Sequence, residues 1–200
     1  MKSAKNCFVL IIATTLLILS CTTVPVTGRR QLNLIPTQTM LSMSYQQYSQ
    51  FVQSNTLSTD RAKTQMVKNV GTRIQKAVER YVAEKGMTDK IREYEWEFTL
   101  VESKDVNAWC MPGGKVVIYT GILPYTQNED GMAVVMGHEI AHAVAAHGNE
   151  RMSQMLAVQF GGLALATALA QKPKETQDLW MAAFGLGAQA GLLLPYSRLH

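Results

Sequence analysis

Two histidines and a glutamate form the most informative pattern in the sequence. His138 and His142 are four residues apart, and Glu139 directly follows the first of them. On a helix, side chains four residues apart lie on one face, so the two imidazoles can bind one Zn²⁺ ion. Zinc lowers the pKa of a bound water, and a carboxylate at position 139 can accept the proton. The pattern predicts metal-assisted peptide hydrolysis, with His138 and His142 as ligands and Glu139 as the catalytic residue.

The residues around this pattern are apolar. They run from 132 to 136 before it and from 141 to 146 after it, which favours a buried helix over residues 129–147. Buried polar side chains need partners, and a shared metal ion would supply one. The alternative is a hydrogen-bonded helix face that holds no metal.

A third protein ligand, usual in zinc peptidases, is not obvious from the residues. The metzincin pattern requires a glycine and a histidine where this chain has Ala145 and Gly148. His147 is one position away and, on a continuous helix, points away from the His138–His142 face, so we expect a surface residue or an outer contact. The later carboxylates are poorly placed for the same ion: Glu150, Glu175 and Asp178.

The first twenty residues have the pattern of a bacterial lipoprotein signal. Lys2 and Lys5 precede an apolar run over residues 7–19, which is too short for a comfortable membrane span. Ser20 then precedes Cys21, a small residue before a cysteine. We therefore predict a signal peptide at 1–20 and lipidation of Cys21. An uncleaved anchor and an ordinary secretory signal remain as alternatives.

Composition and charge exclude several classes of protein. Hydrophobic residues make up 47% of the chain, too many for a disordered protein. The net charge is +4, and removal of Lys2 and Lys5 leaves 17 basic against 15 acidic residues, or +2. The scattered bases give no patch for nucleic acid. With Cys7 removed and Cys21 lipidated, we expect Cys110 to be a free thiol.

The rest of the chain reads as a tether at 21–36 followed by one domain at 37–200. Asp60 is a plausible N-cap for a helix reaching about residue 85. Alternating apolar residues predict a strand at 94–101 with one buried face. Two more strands, 106–111 and 115–120, flank a Pro-Gly-Gly turn, which favours a hairpin.

Two apolar helices are predicted at the end of the chain. Residues 155–170 and 179–194 are each shorter than the ~20 residues that a membrane span needs, and glutamines interrupt both. We therefore expect soluble helices that pack on the domain, with a surface that could face lipid.

Three segments together resemble the HtpX-like and CAAX-prenyl-endopeptidase family of gluzincins, in its Oma-type and LoiP-type lipoprotein branch. They are residues 25–32 (PVTGRRQL), residues 107–115 (NAWCMPGGK), and residues 137–142 (GHEIAH) with 146–148 (AHG). The resemblance implies an α+β zincin-like fold, helix-rich with a small sheet and an edge strand beside the H-E-x-x-H helix. It also implies Zn²⁺ as cofactor and a polypeptide substrate lying along that edge.

The resemblance assigns further positions in this sequence. Asn107 and Ala108 match the family's strand at the cleft and would contact the substrate backbone; the alternative is that Asn107 is a turn residue. The family's third ligand is a glutamate in the pattern S-R-x-x-E. This chain reads Ser197-Arg198-Leu199-His200 at its end, so we expect a domain that is incomplete at the C-terminus.

The leading hypothesis is a zinc metalloendopeptidase attached by lipid to the periplasmic side of a bacterial envelope membrane, with the outer membrane favoured. By analogy with the family it would act in envelope protein quality control. The main alternative is a non-catalytic envelope lipoprotein that binds unfolded polypeptides. A purely structural zinc domain would need a closed four-ligand site, for which the sequence offers no further Cys or His.

Overall fold

The computed structural model describes residues 21–23 and 30–188 of the chain. The predicted signal peptide at 1–20, the middle of the predicted tether and the end of the second apolar helix lie outside the described residues. The side chain of Cys21 also lies outside them, so its lipidation stays a prediction.

A three-stranded mixed sheet forms the centre of the domain. Its strands are β3 (Glu97–Val101), β4 (Ala108–Met111) and β5 (Lys115–Tyr119). The order is β3-β5-β4, with β5 parallel to β3 and antiparallel to β4. Met111 pairs with Lys115 across the turn, which confirms the predicted hairpin. The outermost strand on this side is β4, which lies against the histidine-bearing helix as the family resemblance implied for an edge strand.

The first strand of this sheet is shorter and more deeply buried than predicted. β3 begins at Glu97 rather than at residue 94, and all four residues after it are buried. Phe98 and Leu100 join the main core, while Val101 packs with Tyr48 in a second cluster. The expectation of a single buried face was therefore wrong, because helices cover both faces of the sheet.

Two helices, α1 (Thr37–Ser54) and α2 (Arg61–Glu84), precede the sheet. The predicted cap at the start of α2 is confirmed: the Asp60 side chain accepts the backbone N–H of Lys63 at 3.0 Å. Midway along α2, Gly71 lies directly against the Phe98 ring, and a Cβ at this position would overlap the ring. The absence of a side chain at Gly71 thus sets how closely α2 approaches the sheet.

After the sheet, a short helix α3 (Leu123–Thr126) leads into α4 (Glu129–Val144), which carries the two histidines. The Asn128 side chain caps α4 by accepting the N–H of Gly131 at 2.9 Å. Met132, Met136 and Ile140 are fully buried along one face. This face holds α4 against the core, and the helix contacts both β4 and α2.

The last two helices are α5 (His147–Leu169), whose buried residues lie near its start, and α6 (Lys174–Ala188), which is mainly exposed. By length and composition α5 could cross a membrane, and only 11% of its most apolar 18-residue stretch is buried. No described residue of α6 is buried. After Gln154 no residue of α5 is buried, so the expectation that these helices pack on the domain was wrong there and over the described part of α6. The conclusion that the first stretch is too short to span was also wrong, whereas the second stretch continues beyond the described residues. Large apolar side chains face outward from both helices: Met155, Phe160, Leu163, Leu179, Trp180 and Leu186.

Part of the predicted tether contacts the domain. Strands β1 (Cys21–Thr23) and β2 (Arg30–Leu32) pair in antiparallel register. The N–H of Leu34 donates to Ser153 Oγ at 2.8 Å, and Asn149 Nδ2 donates to the Ile35 carbonyl at 2.9 Å. Residues 34 and 35 are therefore bonded to α5 rather than extended away from it.

Candidate active site

The two histidines of α4 converge on one point. His138 and His142 lie one helical turn apart, and their Nε2 atoms are 3.0 Å from each other. The rings are nearly perpendicular, with an interplanar angle of 86°. A tetrahedral zinc ion with Zn–N bonds of ~2.0–2.1 Å would hold two nitrogens ~3.3 Å apart. The donor pair therefore fits zinc with only a small rotation of either ring.

Glu139 lies on α4, near enough to the edge strand for its charge to act on Cys110. Its side chain is half-buried, and its charge acts on the thiol of Cys110 in β4. Burial raises the pKa of the Cys110 thiol far above its ordinary value, and the nearby Glu139 carboxylate raises it further. The carboxylate is thus close to the strand that flanks the histidines.

The edge strand presents two peptide groups away from the sheet. The N–H of Tyr119 donates to the Asn107 carbonyl at 3.1 Å, so residue 107 bonds inward to β5. Because inward and outward bonding alternate along an antiparallel strand, Ala108 and Cys110 direct their peptide groups outward. The Asn107 side chain itself accepts the N–H of Ala108 at 2.9 Å. Sequence reasoning selected Ala108 but missed Cys110, which the alternation along β4 could have indicated.

His147 points towards the histidine pair, although the sequence predicted that it would point away from it. The helix was expected to continue to residue 147, which would turn His147 away from the histidine pair. Instead α4 ends at Val144, and Ala146 has left-handed backbone angles of φ 57° and ψ 30°. The turn brings His147 Nδ1 to 2.6 Å from His142 Nδ1. The expected orientation of His147 was wrong because it assumed one unbroken helix.

A third metal ligand is absent from the part of the chain that the structure describes. Within it, no set of three His, Cys, Asp or Glu side chains is grouped so as to hold an ion. His147 contacts Nδ1 of His142, whereas His138 faces the other ring nitrogen, Nε2. Glu150 lies in α5 and is only 3% exposed. The predicted placement of Glu150 assumed that α4 continued to residue 150, so it does not apply. Cys110 forms no disulfide among the described residues. That it is a free thiol in the mature protein stays a prediction.

Comparison with known proteins identifies the family of this chain. Residues 68–200, more than half of the chain, match the family model described as Peptidase family M48. The chain belongs to peptidase family M48. The predicted family resemblance is therefore confirmed, and the helix-rich α+β architecture agrees with the fold class that it implied.

Several curated proteins align with this M48 chain. The mitochondrial metalloendopeptidase OMA1 of Schizosaccharomyces pombe is 35% identical over 125 residues, which cover 62% of this chain and 34% of that protein. The Saccharomyces cerevisiae protein of the same name is 42% identical over 74 residues, covering 36% and 21%. The beta-barrel assembly-enhancing protease of Escherichia coli is 28% identical over 90 residues, covering 45% and 15%. The chain spans about a third of the length of the first of these relatives.

Proposed function

We propose that this M48 chain is a zinc metalloendopeptidase with a zincin-like fold, in which His138 and His142 bind the metal. One observation carries the proposal: their Nε2 atoms converge to 3.0 Å on the helix that lies against the outermost strand. When bound there, zinc would polarise the carbonyl of the peptide bond to be cut and lower the pKa of the attacking water. The described residues supply two of the three protein ligands that zinc peptidases usually have.

Glu139 is proposed as the general base and acid. Its closeness to Cys110 supports a carboxylate that acts in the space between α4 and β4. In this role Glu139 accepts a proton from the attacking water while the water oxygen bonds to the peptide carbon. The carboxyl then gives the proton to the departing amine as the carbon–nitrogen bond breaks. One water is consumed for each peptide bond.

The substrate is proposed to be a polypeptide that binds as an additional strand beside β4. The outward peptide groups of Ala108 and Cys110 support this mode, because main-chain hydrogen bonds then provide affinity with little dependence on side chains. Binding at Ala108 would displace the Asn107 side chain from the Ala108 N–H. The released Asn107 amide would then be available to contact the substrate backbone.

We further propose a membrane-attached protein of the bacterial envelope. In this organisation residues 1–20 are a lipoprotein signal, Cys21 carries lipid on the periplasmic side of the outer membrane, residues 21–36 are a tether, and residues 37–200 belong to the peptidase domain. The exposed apolar residues of α5 and α6 support closeness to a membrane. The substrates would be misfolded or misassembled envelope proteins, a role proposed by analogy with the family.

The test compares Glu139→Gln with Glu129→Gln in the full-length protein. Both replacements lie on α4, but Glu129 is exposed at the start of the helix and pairs with Arg73. We expect Glu139→Gln to abolish casein cleavage while zinc content, measured by mass spectrometry, stays at the parent level. Glu129→Gln should keep both.

Two outcomes would reject this function. If Glu139→Gln cleaves casein at the parental rate, the assigned base is wrong. If the zinc-loaded parent binds unfolded casein but never cleaves it, the chain is the non-catalytic polypeptide-binding lipoprotein instead.

A further inference from the structure

The turn between α4 and α5 has a conformation that its sequence does not favour. Ala146 has φ 57° and ψ 30°, a left-handed conformation that is sterically unfavourable for a residue with a Cβ. The N–H of Ala146 bonds to the Ala143 carbonyl at 3.0 Å, which closes the end of α4. The Ala146 carbonyl in turn accepts the N–H of Glu150 at 3.1 Å, which opens α5. Two residues, Ala145 and Ala146, therefore join the helices, and the left-handed Ala146 determines where the first side chain of α5 lies.

That first side chain belongs to His147, and it meets the back of the candidate metal ligand. The Nδ1 atoms of His142 and His147 are 2.6 Å apart, with ring centroids separated by 4.9 Å. The other ring nitrogen of His142, Nε2, faces His138. His142 is thus held at both nitrogens by histidines from opposite sides.

This geometry restricts which nitrogen of His142 carries a proton. A histidine that binds a metal through Nε2 must carry its proton on Nδ1. Metal-binding histidines usually donate that Nδ1–H to a carboxylate, a backbone carbonyl or a water, which orients the ring. Here the atom within hydrogen-bonding distance of His142 Nδ1 is Nδ1 of another imidazole.

We propose that His147 is a positioning residue for the metal site: its Nδ1 accepts the Nδ1–H of His142 and directs His142 Nε2 towards the metal. This inference rests on the proposed zinc site. In this arrangement His147 carries its own proton on Nε2. Its Nδ1 lies on the far side of the His142 ring from His138, so it acts through His142 rather than as a third ligand.

The position of the accepting atom provides a sharp test with three variants. In His147→Asn the side-chain oxygen branches from Cγ, where Nδ1 branches in histidine, so the acceptor is kept. In His147→Gln the amide is one carbon farther from the backbone, so its oxygen corresponds to Nε2 of histidine and not to Nδ1. In His147→Phe the ring volume is kept and the acceptor is removed.

Zinc affinity of the full-length protein, measured by competition with a chromogenic chelator, is the first readout. Loss of such an outer contact commonly weakens metal binding ~10–100-fold, which is the loss expected for His147→Phe. His147→Gln should resemble His147→Phe, and His147→Asn should bind zinc nearly as well as the parent. Nitrogen-15 NMR of the zinc-loaded protein is the second readout, and it should show a slowly exchanging Nδ1–H on His142 in the parent and in His147→Asn only.

The outcomes separate this inference from the zinc site itself. If the parent does not bind zinc, the proposed function fails. If the parent binds zinc and all three variants bind it equally well, His147 has no positioning role. If all three lose zinc equally while their metal-free melting temperatures match the parent, His147 is itself a ligand and the inference is wrong. Should His147→Phe fail to fold, the difference between the Asn and Gln variants still decides.

Discussion

The peptide N–H of Tyr119 donates to the carbonyl oxygen of Asn107 at 3.1 Å, and together with the β4–β5 register this bond shows which way each peptide group of β4 points. Residues 107, 109 and 111 bond inward to β5, whereas Ala108 and Cys110 point outward. The strand beside the histidines therefore has one side bonded within the sheet and one side whose peptide groups at Ala108 and Cys110 point away from it.

Ala108→Pro should weaken substrate binding while leaving the fold intact. Proline removes the outward N–H of Ala108, and edge strands tolerate proline where the N–H points away from the sheet. We expect KM for a peptide substrate to rise about 3- to 10-fold, which is the effect of losing one hydrogen bond to the substrate. Tm should change little. Trp109→Pro is the control, since it removes an inward N–H and should lower Tm strongly. An unchanged KM in Ala108→Pro would mean that the substrate binds elsewhere.

Gly71→Ala and Gly137→Ala should change stability in opposite directions. Both glycines lie inside helices, but a Cβ at Gly71 would overlap the Phe98 ring, whereas one at Gly137 has nothing within 4 Å. Overpacking should cost Gly71→Ala about 1–3 kcal/mol in the free energy of unfolding. The better helix propensity of alanine should give Gly137→Ala a gain of about 0.5–1 kcal/mol. Urea denaturation measures both, and equal effects would contradict the close contact between α2 and β3.

The Cys110 thiol should be unreactive in the folded protein. Burial and the Glu139 carboxylate both raise its pKa, so the reactive thiolate is scarce at pH 8. Alkylation by iodoacetamide should be slow before denaturation and fast after it. As the pH rises, the rate in the folded protein should increase only at higher pH than the rate in the unfolded chain.

The same reaction reports on Glu139. Glu139→Gln removes a negative charge near the thiol, so it should lower the Cys110 pKa and speed alkylation of the folded protein. Glu129→Gln, at the other end of α4, should leave the rate unchanged. If neither variant alters the rate, the Glu139 carboxylate lies farther from β4 than the structure places it.

Cys21→Ala should release the protein from the membrane fraction or leave its precursor unprocessed. Bacterial lipoproteins are expected to carry several acyl chains, and more than one chain is needed for stable anchoring. Cell fractionation and the mass of the mature protein measure this effect. If the variant is processed but stays on the membrane, the apolar residues of α5 and α6 hold it there. In that case adding Phe160→Ser and Trp180→Ser to Cys21→Ala should release it.

The sequence by itself determined the features that depend on neighbouring residues. Asp60 caps α2 through a backbone N–H three residues away, and the Pro-Gly-Gly turn joins two strands that are adjacent in the chain. The spacing of His138 and His142 places them on one helical face without help from the rest of the protein. Family membership also follows from such local segments, which is why the resemblance was visible before the fold.

Only the tertiary structure decided how these pieces meet. β5 lies between β4 and β3 and is buried on both faces, and no local pattern specifies a parallel partner 18 residues earlier. The break at Ala146 was equally hidden, since alanine is the strongest helix former and its left-handed conformation must be imposed by the packing of α4 and α5. That break, and not the spacing of the histidines, brings His147 to His142. Sequence patterns report the preferences of short segments. The contact between these two rings depends instead on where α4 ends and α5 begins, which the packing of the two helices decides.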